Sequence, residues 1–112
     1  MLEKELEEKF RKAVKAEGGR AYKFQSPGHD GVPDRLVVLP GGKMGFVELK
    51  QKGKKPTPLQ ALRIRELREL GCFVTVLDSP EMIPAVIFAI NRGAAGEHLK
   101  EIMGILEAGG TL

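Results

Sequence analysis

The sequence predicts a single-domain α/β protein, and three observations lead to that class. Residues 2–17 have the apolar spacing of an amphipathic helix, residues 36–49 have the pattern of a β-hairpin, and a helix start at residue 57 precedes a short apolar run at 72–77. A loosely alternating stretch at 21–25 adds a first strand. The predicted order is therefore helix, three strands, helix, strand.

The composition excludes several classes of protein. A chain of 112 residues can bury an ordinary core without disulfides, and its single cysteine, Cys72, rules out an intrachain disulfide. The longest apolar run, 83–90, is too short to span a membrane and contains Pro84. The N-terminus is charged and helical in pattern, with no visible signal peptide. We therefore expect a cytoplasmic protein without membrane association.

The first helix is predicted from its apolar positions and from Gly18-Gly19, which end it. Its acids lie near the N-terminus, where negative charge stabilises a helix through its dipole. On a helical wheel Glu3 and Glu7 flank the apolar face, with Glu3 nearer to it, whereas Glu5 and Glu8 point away. The helix dipole is a sufficient explanation for all four acids.

The most informative stretch is the hairpin that connects Asp34 to Glu48 across a glycine turn. If the strands pair symmetrically about Gly41, Asp34 lies opposite Glu48. The same register gives two further pairs, Leu36 with Phe46 and Val38 with Met44. Opposed side chains on one face have Cβ atoms about 4.5–5.5 Å apart, close enough for two carboxylates to share a cation.

This register depends on the length of the loop. A two-residue Gly41-Gly42 loop would pair Asp34 with Leu49 and turn Glu48 to the other face, because a slip of one residue inverts every side chain. We therefore expect a loop with an odd number of residues that contains a glycine in the left-handed conformation.

Alternation along the second hairpin strand places Glu48 and Lys50 on one face, and Leu49 on the other face, in the core beside Val47. Buried charged groups are unfavourable unless something binds them, and a divalent metal ion would do so. Pro-Asp is also a common turn dipeptide, and Glu-Leu-Lys is an ordinary strand pattern. The prediction of a metal site therefore rests on the hairpin register, which brings these two motifs together at one place.

The motif Pro33-Asp34 followed by Glu48-Leu49-Lys50 resembles the PD-(D/E)xK nuclease superfamily. A longer string resembles its VRR-NUC family, in particular the small stand-alone members of phages and bacteria. That string comprises, in order, Ser26-Pro27-Gly28, Gly31-Val32-Pro33-Asp34-Arg35, Phe46-Val47-Glu48-Leu49-Lys50, Gln60 and Gly71. The resemblance covers residues 3–77, approximately.

The resemblance implies a restriction-endonuclease-like αβββαβ core with a mixed sheet flanked by helices. This core would occupy about 3–77 of a single domain over 1–112, followed by C-terminal helices at about 80–108. It also implies a site for Mg²⁺ or Mn²⁺. The implied ligands are Asp34, Glu48, the main-chain carbonyl of Leu49, and Glu3 or Glu7 as an acid from the first helix. The implied catalytic residues are Asp34, Glu48, Lys50 and Gln60.

The implied activity is endonucleolytic hydrolysis of DNA, with selectivity for branched DNA such as four-way junctions, in a bacterial or phage-infected host cell. The alternative is a non-catalytic nucleic-acid-binding module with the same fold. The presence of Asp34, Glu48 and Lys50 argues against that alternative. A sequence-specific restriction enzyme is less attractive because nothing resembles an added recognition domain.

Two further segments predict contacts with nucleic acid. The glycine-containing loop after residue 25 allows close approach of a ligand, and Ser26 and His29 are its candidate phosphate contacts. The chain after Lys50 is basic. Its cations are Lys52, Lys54, Lys55, Arg63, Arg65 and Arg68. Aromatic residues hardly occur among them, which favours a duplex over unpaired bases as the ligand.

Gln60 has a second explanation, because Thr57-Pro58-Leu59-Gln60 is the pattern of a capping box. Its angular position between Ile64 and Leu67 would also let its amide reach towards the active site. Both roles stay open at this point.

The apolar run at 72–77 predicts a strand in the interior of the sheet.

The C-terminal part is rich in apolar residues. Asp78-Ser79-Pro80-Glu81 predicts a further helix start, 83–91 is apolar but interrupted by Pro84, and 97–107 predict a last amphipathic segment. We expect a homodimer in which part of 82–106 is buried between subunits related by a two-fold axis. The alternative is that these segments only cover the sheet of their own protomer.

Overall fold

The structure, a computed structural model, describes residues 1–93 and has the predicted order of elements. The elements are α1 (Glu3–Ala16), β1 (Arg20–Lys23), β2 (Arg35–Leu39), β3 (Lys43–Leu49), α2 (Pro58–Glu69), β4 (Val74–Leu77) and α3 (Ile83–Arg92). The sheet order is β1-β2-β3-β4, with antiparallel pairing up to β3 and a parallel β3–β4 pair. The predicted α/β core with a mixed sheet and flanking helices is confirmed.

The hairpin formed by β2 and β3 has the predicted register. Leu36 pairs with Phe46 and Val38 with Met44. The pair Leu39 and Lys43 closes a three-residue loop, in which Gly41 has φ +87° and Gly42 has φ +75°. The odd loop length and the left-handed glycine are therefore confirmed.

The main core lies between the sheet and the helices α1 and α3. Alternate residues of the hairpin enter it, and Leu49 is buried beside Val47 as predicted. The face of α1 that meets them carries Leu6, Phe10 and Val14, all buried. Burial of such a side chain stabilises a fold by about 1.5–3 kcal/mol each, so this layer holds the hairpin firmly against α1.

The strand β4 lies at the edge of the sheet, so the prediction of an interior strand is wrong. Its apolar composition has another cause, because α2 and α3 both contact it. Leu77 lies in the core with residues of α3, and Val76, which alternation places on the opposite face, lines a cleft with residues of α2. Val74 and Leu77 are fully buried as a result. At the end of α2, Arg68 donates from Nε (3.0 Å) and Nη2 (2.8 Å) to the Val74 carbonyl.

Pro84 does not interrupt the last described helix. A 3-10 turn, Pro80–Met82, leads into α3, and Pro84 lies in the first turn of α3, where an N–H has no helical partner to lose. The buried residues of α3 are Ile83, Ala85, Val86, Ile87, Ala89 and Ile90. They pack within the protomer, so these six side chains are not free for a dimer contact, and the rest of the predicted dimer segment from residue 94 lies outside the described residues.

None of the helices within residues 1–93 combines the length and the hydrophobicity needed to cross a bilayer.

Candidate active site

Asp34 precedes β2 and Glu48 lies near the end of β3, and each contacts the strand of the other. The Asp34 N–H donates to Glu48 Oε1 (3.2 Å), and Asp34 Oδ2 accepts from the Leu49 N–H (2.9 Å). The ladder ends one pair earlier, at Arg35 and Val47, so Asp34 stands opposite Glu48 in the continued register. The two acids therefore meet at the open end of the hairpin.

The Leu49 N–H can reach Asp34 because of where the ladder ends. Along β3, successive residues direct their main-chain groups alternately to the two neighbouring strands. The Lys50 N–H donates to the Leu77 carbonyl of β4, so Leu49 faces the β2 side. The opposing residue there is Pro33, which has no N–H to donate to the Leu49 carbonyl. The ladder has ended by this point, so the Leu49 N–H donates to the Asp34 carboxylate instead of to a main-chain carbonyl. The Leu49 carbonyl points to the same side as its N–H.

Glu48 has a strongly perturbed carboxyl group. The residue is only 1% exposed, and this burial, followed by the negative charge and the hydrogen bond of Asp34, raises the pKa of Glu48 to about 7. Lys50 opposes that effect in part, since its Nζ lies 3.5 Å from Glu48 Oε2. A cation placed between the two acids would relieve their repulsion, so the electrostatics favour metal binding here.

The donor set fits a hard divalent cation. Two carboxylates and a main-chain carbonyl supply oxygen ligands, which Mg²⁺ and Mn²⁺ prefer. Within residues 1–93 no three acidic, histidine or cysteine side chains gather into a cluster that could hold a metal ion by themselves. The remaining ligands would then be water and substrate oxygens, which is the usual arrangement for Mg²⁺.

Glu7 is the first-helix acid that lies nearer to the site. It lines a cleft together with Asp34 and forms an ion pair with Arg35. Arg35 Nη1 also donates to the Ala21 carbonyl (3.1 Å), so Arg35 makes structural contacts with both α1 and β1. Glu3 is exposed and does not line this cleft, although the helical wheel placed it nearer the apolar face.

The cleft beside Asp34 has a volume of about 440 Å³. Ser26 and His29 both line it, and the His29 N–H donates to the Ser26 carbonyl (3.0 Å) to close a turn. Lys23 also lines it, and sequence reasoning did not select this residue. The signal that could have found Lys23 is its pairing with Arg35 across β1 and β2, because paired residues share a face of the sheet.

Gln60 forms the predicted capping box. Its N–H donates to Thr57 Oγ1 (3.2 Å), and its Oε1 accepts from the Thr57 N–H (2.9 Å). The start of α2 also packs against the loop that lines the cleft. A Cβ on Gly31, which has φ +89°, would lie 2.9 Å from Leu59 Cγ and 3.3 Å from the Gln60 nitrogen.

Only some cations of the basic region predicted after Lys50 are free to contact a ligand. Exposed cations on the loop after β3 are Lys52, Lys54 and Lys55. Two arginines of α2 instead make structural contacts. Arg63 donates to the Asp30 carbonyl (2.9 Å) and to Glu66 (2.9 Å), and Arg68 binds β4 as described above. These two side chains hold α2 in place.

A mixed four-stranded sheet with helices on both faces and two acids at the end of its hairpin defines the restriction-endonuclease-like class of fold. A protein named "Putative nuclease p44", from Acyrthosiphon pisum secondary endosymbiont phage 1, is 52% identical over 88 residues, which cover 76% of this chain and 90% of that protein. A solved structure described as "VRR_NUC domain" is similar with a TM-score of 0.72 and 32% identity, over 77% of this chain and 94% of its own. No family model matches the chain. The chain belongs to the VRR-NUC family, as its motifs predicted.

Proposed function

We propose that this protein is a divalent-metal-dependent endonuclease that hydrolyses phosphodiester bonds of DNA. The observation that carries the proposal is the meeting of Asp34 and Glu48 at the end of the hairpin, with Lys50 Nζ 3.5 Å from Glu48 Oε2. The similarity to a phage protein named as a nuclease and to a VRR_NUC domain supports the same chemistry.

The residues that would hold Mg²⁺ or Mn²⁺ are Asp34, Glu48 and the Leu49 carbonyl. Glu7 would assist through a water molecule, since it lines the cleft beside Asp34. When bound, such a metal ion polarises the scissile phosphate and lowers the pKa of a coordinated water. The raised pKa of Glu48 makes metal binding compete with a proton, because only the carboxylate form is a ligand.

Lys50 places an ammonium group beside the two acids. There it orients the attacking water and stabilises the negative charge that grows on the phosphate oxygens during attack. Gln60 contributes a donor, because its Oε1 is occupied by the Thr57 N–H while its NH₂ group is left for water or substrate. The proposed backbone contacts of the substrate are Ser26, His29, Lys52, Lys54 and Lys55.

The proposed substrate is branched DNA such as a four-way junction, cut by a homodimer that supplies two sites for paired incisions. The family resemblance supports the substrate, and the apolar residues of 97–106 support the dimer. The phage origin of the relative supports action inside a bacterial or phage-infected host cell. A monomer by sedimentation at micromolar concentration would contradict the dimer.

The decisive experiment compares the wild type with Asp34→Ala on linear, flapped, nicked and four-way DNA, each with Mg²⁺ or Mn²⁺. We expect the wild type to cleave with either ion, with preference for the four-way substrate, and Asp34→Ala to bind DNA without cleaving it. A wild type that binds DNA but cleaves none of these substrates with either ion would instead indicate a non-catalytic binding module.

A further inference from the structure

A second cleft, of about 740 Å³, lies between the C-terminal half of α1 and the edge strand β1. It joins the cleft beside Asp34, because Lys23 and Arg35 line both. Its basic side chains are Arg11, Lys12, Lys15, Arg20, Lys23 and Arg35, and its only acid is Glu8. We call this second cleft the basic groove.

Half of these cations are ion-paired with acids. Glu8 lies 3.0 Å from Arg11 and 3.8 Å from Lys12, and Arg35 is paired with Glu7. The other half consists of Lys15, Arg20 and Lys23. These three are exposed and have no ion pair or side-chain hydrogen bond within residues 1–93. The groove therefore presents three cations that no ion pair compensates, next to the candidate active site.

The shape of the basic groove follows from the glycines that end α1. A Cβ on Gly19 would lie 2.5 Å from the Val38 carbonyl oxygen and 2.8 Å from Leu39 Cδ2, so no side chain fits there. Gly18 has φ +83° and turns the chain sharply into β1. The end of α1 therefore lies directly on the hairpin, and the cations stand along a concave strip that Gly18 and Gly19 also line.

We propose that the basic groove binds the sugar-phosphate backbone of duplex DNA and leads it to the cleft beside Asp34. This inference rests on the proposed nuclease function. A DNA backbone is repelled by the two site acids, so attraction has to come from cations beside them. Uncompensated cations in a concave strip supply it, because each phosphate that they neutralise releases condensed counterions. The lysines after β3 would then hold a different part of the substrate.

The test compares Lys15→Gln/Arg20→Gln with Lys9→Gln/Lys43→Gln. Each double variant removes two exposed positive charges, one from α1 and one from the end of a strand, but Lys9 and Lys43 do not line the groove. Binding of a fluorescent DNA duplex is measured by anisotropy with EDTA, which prevents cleavage, between about 50 and 200 mM KCl. Thermal melting shows that both variants are folded.

We expect the groove variant to bind roughly tenfold more weakly and to reduce the slope of log K against log salt by about 2, whereas the control variant matches the wild type. Equal salt slopes for all three proteins, or equal losses of DNA affinity in both variants, would overturn the proposal that the groove binds DNA. Cleavage by the wild type with Mg²⁺ is measured in parallel. If the wild type cleaves DNA and the groove variant binds DNA as tightly as the wild type, only the groove proposal is overturned. If the wild type does not cleave DNA but the groove variant binds it more weakly, only the nuclease function is overturned.

Discussion

The Asp34 N–H donates to Glu48 Oε1 at 3.2 Å, while the Asp34 carboxylate accepts the N–H of the residue that follows Glu48. Each acid is thus oriented by main-chain pairing at the end of the hairpin. Hairpin formation itself therefore assembles the pair of carboxylates, and the site is in place before any metal ion or substrate arrives.

The buried Glu48 makes the stability of the metal-free protein depend on pH. Burial and Asp34 raise the pKa of Glu48 from 4.5 to about 7, so the folded protein holds this proton more tightly than the unfolded chain does. The proton on Glu48 therefore stabilises the folded protein. Its full contribution to the free energy of unfolding, on the order of 3 kcal/mol, is present below pH 4.5 and is lost as the pH rises through about 7. Urea unfolding with EDTA across this range measures it.

Glu48→Gln isolates this effect from the other acids. The free energy of unfolding of the wild type should fall relative to that of Glu48→Gln as the pH rises from 4.5 to 7. The exposed Glu5→Gln serves as the control and should show no such trend. A pH-independent difference between the wild type and Glu48→Gln would contradict the assigned pKa.

Gly31→Ala should be more destabilising than Gly28→Ala. Both glycines have positive φ, +89° and +83°, so both substitutions strain the backbone by about 1–2 kcal/mol. Only at Gly31 does the new Cβ collide, at 2.9 Å from Leu59 Cγ and 3.2 Å from its carbonyl carbon, whereas nothing lies within 4 Å at Gly28. Urea unfolding should therefore show roughly 1–3 kcal/mol of extra loss for Gly31→Ala. Equal losses would mean that α2 does not pack tightly on this loop.

Glu7→Gln should raise the Mg²⁺ concentration needed for cleavage by about tenfold, whereas Glu3→Gln should not. Glu7 lines the cleft with Asp34, and Glu3 is exposed outside it. Cleavage rates are measured against Mg²⁺ concentration, with melting curves because Glu7→Gln also removes the partner of Arg35. The same Mg²⁺ requirement in both variants would exclude Glu7 as the first-helix acid.

Gln60→Ala and Thr57→Ala separate the two roles of Gln60. Each removes one half of the capping box and should reduce stability by about 1 kcal/mol. Only Gln60→Ala also removes the NH₂ donor, so it should lose more cleavage activity than Thr57→Ala at equal stability. Equal cleavage by the two variants would leave Gln60 with the capping role alone.

The parts of the site that follow local rules were predictable from the sequence. The register that joins Asp34 to Glu48 depends on loop length and on strand alternation, both of which are visible in neighbouring residues. The capping box depends on Thr57 and Gln60, three residues apart. In both cases the interacting groups are determined by short-range geometry.

The parts that depend on main-chain acceptors or on distant segments were not predictable. Arg63 and Arg68 bind carbonyl groups, which every residue has, so their partners leave no mark in the sequence. An edge strand covered by two helices, such as β4, has the same apolar composition as an interior strand. The basic groove combines cations from α1 and β1 that form no continuous charged run.

Binding of Mn²⁺ to the intact protein, measured by titration calorimetry, tests most directly whether Asp34 and Glu48 share a metal ion. We predict that the wild type and Glu5→Gln bind the ion, more tightly at about pH 8 than at about pH 5 because Glu48 must lose its proton. Asp34→Asn and Glu48→Gln should each abolish this binding. If either of these two variants bound Mn²⁺ as tightly as the wild type, the two acids would not form the metal site.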